Sequence, residues 1–305
     1  MYPPSITVSL NRQADLRVDA AELTRRWRAG TSRLLVLDET GRLLGGFERP
    51  TVGDFDSSLH VFLGEGEGRS WFAVERTKHD ESDAAPTTAD GASLREGGLS
   101  PLYEELLTAA VAILAWHRRS PRCERCQGET EAGGGGFVRV CRECGAALFP
   151  RTDPAMIVVL LDPDSEGERL LLAHQAGWPE HRMSLLAGFV EAGESLEAAV
   201  VREVDEEARL QVTGFGYVSS QAWPFPRSLM LGCVATVAPG EPVVDGVELD
   251  EARWFTRASM DEAIASGELI LSAPGSIARR MIEAWRAGEL TAARASVPVV
   301  STGGR

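Results

Sequence analysis

Residues 188–210 read Gly-Phe-Val-Glu-Ala-Gly-Glu-Ser-Leu-Glu-Ala-Ala-Val-Val-Arg-Glu-Val-Asp-Glu-Glu-Ala-Arg-Leu. The segment from Ser195 to Ala208 contains few helix breakers, and serine is a residue type that caps helix N-termini through its hydroxyl. We therefore predict a helix over this segment. Glu203, Glu206 and Glu207 are then spaced i, i+3 and i+4, which places their carboxylates on one helix face.

Three carboxylates on one helix face repel each other unless a cation lies between them. Carboxylate oxygens are the ligands that Mg²⁺ and Mn²⁺ prefer, with substrate phosphates completing the shell, and such a cluster can polarise phosphorus and activate water. The alternative is a solvated acidic face, the usual interpretation of a lone Glu-Glu pair. The full spacing and the apolar entry at 185–190 favour a catalytic metal site formed by Glu203, Glu206 and Glu207, with Glu194 placed to pair with Arg202.

Four cysteines form two Cys-x-x-Cys pairs separated by fourteen residues: Cys123, Cys126, Cys141 and Cys144. This spacing is typical of a zinc ribbon, in which two knuckles close a tetrahedral thiolate site without an open position. We therefore predict a structural Zn²⁺ and a flexible hairpin tip at Gly133–Gly136. Disulfides are the rival interpretation, and the absence of a signal peptide disfavours them. The fifth cysteine, Cys233, lies in an apolar run and is predicted to be a packing residue.

The stretch 188–210 resembles the Nudix box: Gly, five residues, Glu, seven residues, Arg-Glu, an aliphatic, any residue, Glu-Glu, any residue, Gly, an aliphatic. The positions that match this pattern are Gly188, Glu194, Arg202, Glu203, Val204, Glu206, Glu207 and Leu210. Arg209 stands where the pattern has Gly, a residue that often ends a helix in the left-handed conformation. The expected cost is about 1 kcal/mol, which weakens a helix end without removing a metal ligand.

Aromatic and proline residues alternate a short distance after the box, at Ser220-Gln221-Ala222-Trp223-Pro224-Phe225-Pro226-Arg227-Ser228. The prolines stiffen this segment, the rings offer flat faces to a base, and the polar side chains can bind phosphate. The array resembles the Ser-Gln-Pro-Trp-Pro-Phe-Pro-x-Ser motif of the NADH pyrophosphatase branch of the Nudix hydrolases, with Ala222 replacing the first Pro. A zinc ribbon ahead of the Nudix domain is also typical of that branch, and the resemblance is clear from about Arg95 to Trp285.

The resemblance implies an α/β fold: a Nudix α/β/α sandwich preceded by a zinc ribbon and an α+β N-terminal domain. It also implies a homodimer and several further site residues. Glu248 and the carbonyls of Ala187 and Ala278 are expected at the Mg²⁺ or Mn²⁺ site, with Glu251 as the alternative to Glu248. The residues expected to bind substrate are Arg95, Phe149, Phe189, Gln221, Ala222, Trp223, Pro224, Phe225, Pro226, Arg227 and Ser228.

Composition is that of a globular protein, with 305 residues, 44% of them hydrophobic and 25% charged. The apolar runs are too short to span a membrane, and the polar N-terminus favours the cytoplasm. A net charge of −14 disfavours nonspecific binding to nucleic acid. We predict an N-terminal domain at 1–118, the ribbon at 119–150, the Nudix domain at 151–290 and a disordered tail at 291–305.

Periodicity predicts the individual elements within these regions. The N-terminal domain is predicted to contain strands at Leu34–Leu37, His60–Leu63 and Trp71–Glu75, a mobile loop at His79–Ala92 and a helix at Leu102–His117. The Nudix domain is predicted to contain strands at Met156–Leu161, Leu170–Ala173, Tyr217–Ser220 and Leu229–Val237, and helices at Met260–Ser266 and Ser276–Gly288.

Three functions remain open from the sequence. The first is hydrolysis of the pyrophosphate bond of NAD(H) to a nicotinamide mononucleotide and AMP, as the resemblance implies. The second is removal of NAD caps from RNA 5′ ends by the same chemistry. The third is a non-enzymatic nucleotide sensor or a zinc-ribbon protein that binds nucleic acid, and the complete set of box carboxylates argues against it.

Overall fold

The computed structural model describes most of the chain as two compact units. One unit comprises residues 8–152 with 223–227, and the other comprises residues 153–222 with 228–299. Arg95 and the predicted loop at His79–Ala92 lie outside the described residues. The structure describes residues 8–44, 47, 49–50, 53–76, 94, 98–163, 167–244 and 246–299.

The N-terminal unit begins with a small sheet and two helices, α1 (Ala20–Trp27) and α2 (Pro101–Arg119). The sheet has the order β1-β3-β2, with β1 parallel and β2 antiparallel to the central β3. Its strands are β1 (Arg33–Leu37), β2 (His60–Gly66) and β3 (Arg69–Glu75). Each contains a run of four buried residues, which explains why these strands were recognisable as apolar runs. Helix α1 is too short to show a clear period, and it was not predicted.

Helix α2 is amphipathic along 19 residues and packs its apolar side against this sheet. Ser100 occupies the N-cap and Pro101 the first turn, where proline's missing N–H costs no hydrogen bond. Leu106 and Ala110 on the buried side are fully inaccessible and contribute to the same core as Trp71. In the part of the chain that the structure describes, no helix is long and apolar enough to cross a membrane.

The cysteine-rich segment forms a three-stranded antiparallel sheet, β4 (Thr130–Gly133), β5 (Val138–Cys141) and β6 (Ala147–Leu148). The predicted flexible tip between β4 and β5 is instead a 3-10 turn at Gly134–Gly136 whose last two glycines are buried. All three glycines have positive φ, and a Cβ at Gly136 would lie 3.0 Å from a Val61 methyl group. These glycines are therefore needed for close packing on β2, and the prediction of a free tip was wrong.

The C-terminal unit is built on one mixed sheet of order β12-β8-β7-β11-β10-β13, with β9 paired to β7. Strands β7 and β11 are parallel over nine registered positions. The strands are β7 (Asp153–Asp162), β8 (Arg169–Gln175), β9 (Leu186–Phe189), β10 (Val212–Trp223), β11 (Ser228–Val237), β12 (Leu249–Phe255) and β13 (Val297–Pro298). The helices are α3 (Leu196–Ala208), α4 (Arg257–Ser266) and α5 (Ile277–Arg286).

Strand β7 shows how the two faces of this sheet are filled. Ile157, Val159 and Leu161 join a core with α4 and α5, whereas the alternating Met156, Val158 and Leu160 join a core with α3. Because side chains alternate across a strand, the apolar run from Ala155 to Leu161 in β7 supplies both cores. The sheet therefore lies between α3 and the α4–α5 pair, which confirms the predicted α/β/α sandwich.

The end of the described chain corrects the expectation of a disordered tail. Residues Ala292–Arg294 form a 3-10 turn, and β13 pairs with β10 through Phe215–Val297 and Gly214–Pro298. A Cβ at Gly214 would lie 2.6 Å from the Ala295 carbonyl oxygen, so this approach requires glycine. The sequence feature that permits this packing lies in the glycines of β10 and not in the tail itself. For this reason the prediction of a disordered tail was wrong for residues 292–298.

Candidate active site

Helix α3 presents the predicted carboxylates from a well-capped element. The Ser195 hydroxyl accepts a hydrogen bond from the Ala198 N–H at 3.2 Å, as the N-cap prediction requires. At the other end Arg209 adopts a left-handed conformation, with φ 53° and ψ 34°. The helix therefore ends as the Gly of the box would end it, although arginine occupies the position.

The acidic face of α3 borders a cavity of about 720 Å³. Glu203 and Glu207 are less than 10% exposed, whereas the Glu206 side chain is 59% exposed. Glu248, which directly precedes β12, reaches the same cavity from another element. The cavity is lined by Ala155, Ala187, Gly188, Phe189, Glu191, Arg202, Glu203, Glu206, Glu207, Arg209, Ser228, Met230 and Glu248.

Strand β9 passes directly beside α3 at this cavity. A Cβ placed on Gly188 would overlap the carboxylate of Glu203, so only glycine leaves room for that side chain. Gly188 has no positive φ, and its role is therefore steric and not conformational. The first glycine of the box thus sets where the Glu203 carboxylate lies.

Arg202 ties the loop before α3 to the helix. Its Nε and Nη2 donate to the two carboxylate oxygens of Glu194, both at 2.9 Å, and Nη2 also donates to the Phe189 carbonyl. Nη1 donates to Glu203 at 2.9 Å and to Glu206 at 3.3 Å. These bonds raise the pKa of Arg202, chiefly through Glu194, and lower that of Glu194. The predicted pairing of Glu194 with Arg202 is confirmed.

The electrostatics of the cavity favour a cation. Burial raises the pKa of Glu203, and the Glu206 and Glu248 carboxylates raise it further, against the hydrogen bond from Arg202. Five glutamates line the cavity among the described residues, against two arginines. An all-carboxylate donor set suits a hard divalent cation, so the residues fit the metal that the box predicts.

The choice between Glu248 and Glu251 is clear in geometric terms. Glu248 lines the cavity. Glu251 forms an ion pair with Arg253 at 2.7 Å, with its side chain 49% exposed, and it is not among the described residues that line the cavity. The placement therefore favours Glu248 as the ligand from outside the helix.

Two predicted site residues lie together at the start of α5. The Gln221 amide donates to the Gly275 carbonyl at 2.9 Å and accepts from the Ile277 N–H at 2.7 Å. Ala278, in the first turn of α5, is buried in the core on that side of the sheet and is not among the described cavity-lining residues. Gln221 thus fixes the α5 N-terminus, and a substrate contact by either residue stays a prediction.

The aromatic-proline segment falls into two parts. Ala222 and Ser228 belong to the C-terminal unit, and Ser228 is buried at the edge of the acidic cavity. The tip between them, Trp223–Arg227, belongs to the N-terminal unit.

Within that unit the tip is packed in place. The Phe225 ring packs against the α2 core, with Trp223 edge-on to it at 5.2 Å. The Arg119 guanidinium donates to the Pro226 carbonyl at 3.3 Å, and the tip prolines border a smaller cavity of about 290 Å³. Phe225 is thus engaged in packing within the N-terminal unit, and the stiffness expected from the prolines stays a prediction.

Of the two other aromatic candidates, Phe189 is brought to the acidic cavity and Phe149 is not. Phe189 lines the cavity with its side chain 55% exposed, so its ring face is available for stacking. Phe149 follows β6 in the N-terminal unit and is 62% exposed.

The four predicted zinc ligands converge in the ribbon. Their sulphur atoms all lie within 4.8 Å of one another, with Cys123–Cys144 at 3.8 Å and Cys126–Cys141 at 3.4 Å. A tetrahedral site with Zn–S bonds of about 2.3 Å has sulphurs about 3.8 Å apart, so the cluster fits zinc. These separations exceed the ~2.05 Å of a disulfide bond, so the geometry favours four metal ligands over the disulfide interpretation, and Cys233 is buried as predicted.

Sequence reasoning missed Arg209 as part of this cavity, because it was weighed only as a helix cap. Glu191, Ala155 and Met230 were also missed. Ala155 and Met230 are paired on the adjacent strands β7 and β11, so their shared position follows from the strand register and not from local sequence.

Comparison with known proteins is consistent with this geometry. Residues 151–271 match the NUDIX domain family. The chain is 38% identical over 300 residues to the NAD-capped RNA hydrolase NudC of Mycobacterium tuberculosis strain H37Rv, covering 92% of this chain and 94% of the relative. It is 38% identical over 191 residues to the NAD-capped RNA hydrolase NUDT12 of Macaca fascicularis and 36% identical to the human NUDT12, each match covering 59% of this chain and 41% of the relative.

Proposed function

The chain belongs to the Nudix hydrolase family, and we propose that it hydrolyses the pyrophosphate bond of NAD(H) to a nicotinamide mononucleotide and AMP. The observation that carries this proposal is the cavity lined by Glu203, Glu206, Glu207 and Glu248. The choice of NAD(H) as substrate is supported by the aromatic-proline array and by the similarity to an NAD-capped RNA hydrolase.

The carboxylates of this cavity would hold Mg²⁺ or Mn²⁺. When bound, the cation polarises the diphosphate and favours ionisation of an attacking water. A carboxylate of α3 takes the proton of that water, the oxygen adds to one phosphorus, and the bond from that phosphorus to the bridging oxygen breaks. Arg202 holds Glu203 and Glu206 in place through its hydrogen bonds and so keeps the carboxylate face ordered.

A second candidate function is removal of NAD caps from RNA. It is favoured by the similarity to NudC and NUDT12, which are NAD-capped RNA hydrolases. The bond broken is the same, and the substrate differs only in the RNA attached to the adenosine. We further propose that the protein is a homodimer, that the four ribbon cysteines bind one structural zinc ion, and that the protein is located in the cytoplasm.

Purified protein should be incubated with NADH, NAD⁺, ADP-ribose and NAD-capped RNA in the presence of Mg²⁺ or Mn²⁺, and kcat/KM compared. We expect NADH or NAD-capped RNA to be the best substrate. Glu206→Gln and Glu207→Gln should each lower kcat by at least about 100-fold, because each removes a metal ligand or base. Full activity of both variants would contradict the metal-helix assignment, and equal turnover of ADP-ribose would contradict the assignment to dinucleotides.

A further inference from the structure

Arg209 brings a positive charge to the rim of the acidic cavity. It lines the cavity together with Glu206 and Glu207, from the turn that ends α3. Its left-handed backbone conformation is one that residues other than glycine, asparagine and aspartate rarely adopt. The side chain is 48% exposed, so the guanidinium is accessible from solvent.

The two guanidinium groups of this cavity are held very differently. Arg202 donates five hydrogen bonds, to Glu194, Glu203, Glu206 and the Phe189 carbonyl, and is fully committed to the protein. The one ion pair that the described residues give Arg209 is with Asp205, at 3.8 Å and about half exposed. A half-exposed pair at that distance is weak and is readily exchanged for a phosphate, which matches the guanidinium fork.

We propose that Arg209 binds a phosphate group that the substrate carries in addition to the diphosphate being cleaved. This inference rests on the proposed function, in which the carboxylate-bound cations hold the diphosphate itself. In a dinucleotide any further phosphate is attached to a ribose. It is either a monoester, as the 2′-phosphate of NADPH, or the 3′-phosphodiester that joins the adenosine of a cap to RNA. Arg209 then distinguishes substrates in which the same pyrophosphate bond is cleaved but the further phosphate differs.

The test compares the wild type, Arg209→Gly and Arg209→Lys on NADH, NADPH and a short NAD-capped RNA. Arg209→Gly removes the steric strain of the left-handed backbone conformation. The variant should therefore still fold, and its unfolding temperature should exceed that of the wild type. We expect it to raise KM roughly tenfold for the substrate with the recognised phosphate, as expected for loss of a charged hydrogen bond, with kcat unchanged. KM for NADH should change less than about twofold, and Arg209→Lys should recover part of the loss because it keeps the charge.

A larger effect on NADPH identifies a monoester site, and a larger effect on capped RNA identifies a phosphodiester site. Equal changes for all three substrates, or none, would overturn the proposal. Calorimetric Kd values for NADH, NADPH and the short NAD-capped RNA, measured on a Glu207→Gln background with and without Arg209→Gly, report on Arg209 independently of turnover. Absence of hydrolysis by the wild type would therefore contradict the proposed function and leave the role of Arg209 to these Kd values, where unchanged ratios of both NADPH and capped RNA to NADH would reject it.

Discussion

The position of a single carboxylate depends on a neighbouring glycine. Gly188 on β9 and Glu203 on α3 lie in such close contact that no side chain fits between them. Burial raises the pKa of Glu203, so a neighbouring cation would stabilise its charged carboxylate. The geometry of the proposed site is thus set partly by a residue that contributes no functional group.

Gly188→Ala is expected to displace Glu203 while leaving the sheet and helix formed. The added methyl group forces a shift of the carboxylate, so we expect kcat to fall by about 10- to 100-fold, since small misplacements of catalytic groups have effects of this size. Steady-state kinetics with a circular dichroism spectrum test this. Gly193→Ala is the matched control for added bulk, because no atom lies within 4 Å of a Cβ there, although its positive φ adds strain. Comparable loss in both variants would contradict the steric role.

The glutamate outside the helix can be identified by a matched pair. Glu248→Gln should lower kcat by at least about tenfold, because the cavity loses one carboxylate ligand. Glu251→Gln should have an effect of less than about threefold, since that carboxylate pairs with Arg253 near the surface. Activity at several Mg²⁺ concentrations distinguishes weaker metal binding from a slower chemical step. The reverse order of effects would mean that the extra ligand is Glu251.

Helix periodicity was sufficient to predict the carboxylate face, because it depends only on spacing within one element. The contribution of Gly188 could not be predicted in the same way, since it arises where two elements approach each other. The same holds for Arg209. Its backbone conformation followed from its position after α3, but its place in the cavity lining could not be inferred from that position.

At the scale of elements, the turn between β10 and β11 carries the aromatic rings expected to distinguish substrates. Phe225 packs on the core beside α2, and Trp223 lies against it edge to face. The stiffness expected from the prolines stays a prediction, and the core on which Phe225 packs lies far away in sequence and could not be inferred. The role of the turn in recognition also stays a prediction.

Trp223→Leu and Phe225→Leu keep apolar volume and remove a flat ring. If the segment stacks on a base, kcat/KM for NADH should fall roughly 5- to 150-fold, with a smaller loss for ADP-ribose, which lacks nicotinamide. Thermal unfolding of both variants serves as the control for packing. Equal losses on both substrates, accompanied by a lower Tm, would show that these rings support the fold and do not select the substrate.

The ribbon is the element in which we expect a bound metal to contribute most directly to stability. Cys123→Ser should release zinc and lower Tm, because a structural thiolate site contributes its binding free energy to folding. Zinc is measured by elemental analysis of freshly purified protein. Cys233→Ser is the matched control, since its buried thiol lies outside the cluster and should leave the zinc content unchanged. Wild-type protein purified without zinc would refute the assignment.

At the scale of the whole molecule, one partly buried histidine links α2 to the ribbon. Arg139 donates to His117 Nδ1 at 2.9 Å, so the ring proton resides on Nε2 and is donated to the Gly136 carbonyl at 2.8 Å. Burial, together with the Arg139 charge, lowers the pKa of His117 to about 4, against the opposing effect of the hydrogen bond to Gly136. The folded protein therefore holds this ring neutral.

Between pH 6.5 and 4 the unfolded chain binds a proton at His117 that the folded chain does not. Stability should therefore fall as the pH decreases through this window, by about 1 kcal/mol per pH unit from this group. His117→Gln should flatten that dependence in urea unfolding at pH 4.5 to 7, with zinc content checked at each pH. An identical slope in the variant would show that other groups determine the acid sensitivity.

The assignment of Trp223–Arg227 to the N-terminal unit also has a consequence for how this chain can be divided. The backbone passes between the units after residue 152, after residue 222 and again after residue 227. Cutting once, at the ribbon exit, would yield a catalytic fragment whose hairpin tip has lost the core on which Phe225 packs. Grafting another Nudix domain onto this N-terminal half would therefore require that residues 223–227 be kept with the core on which Phe225 packs.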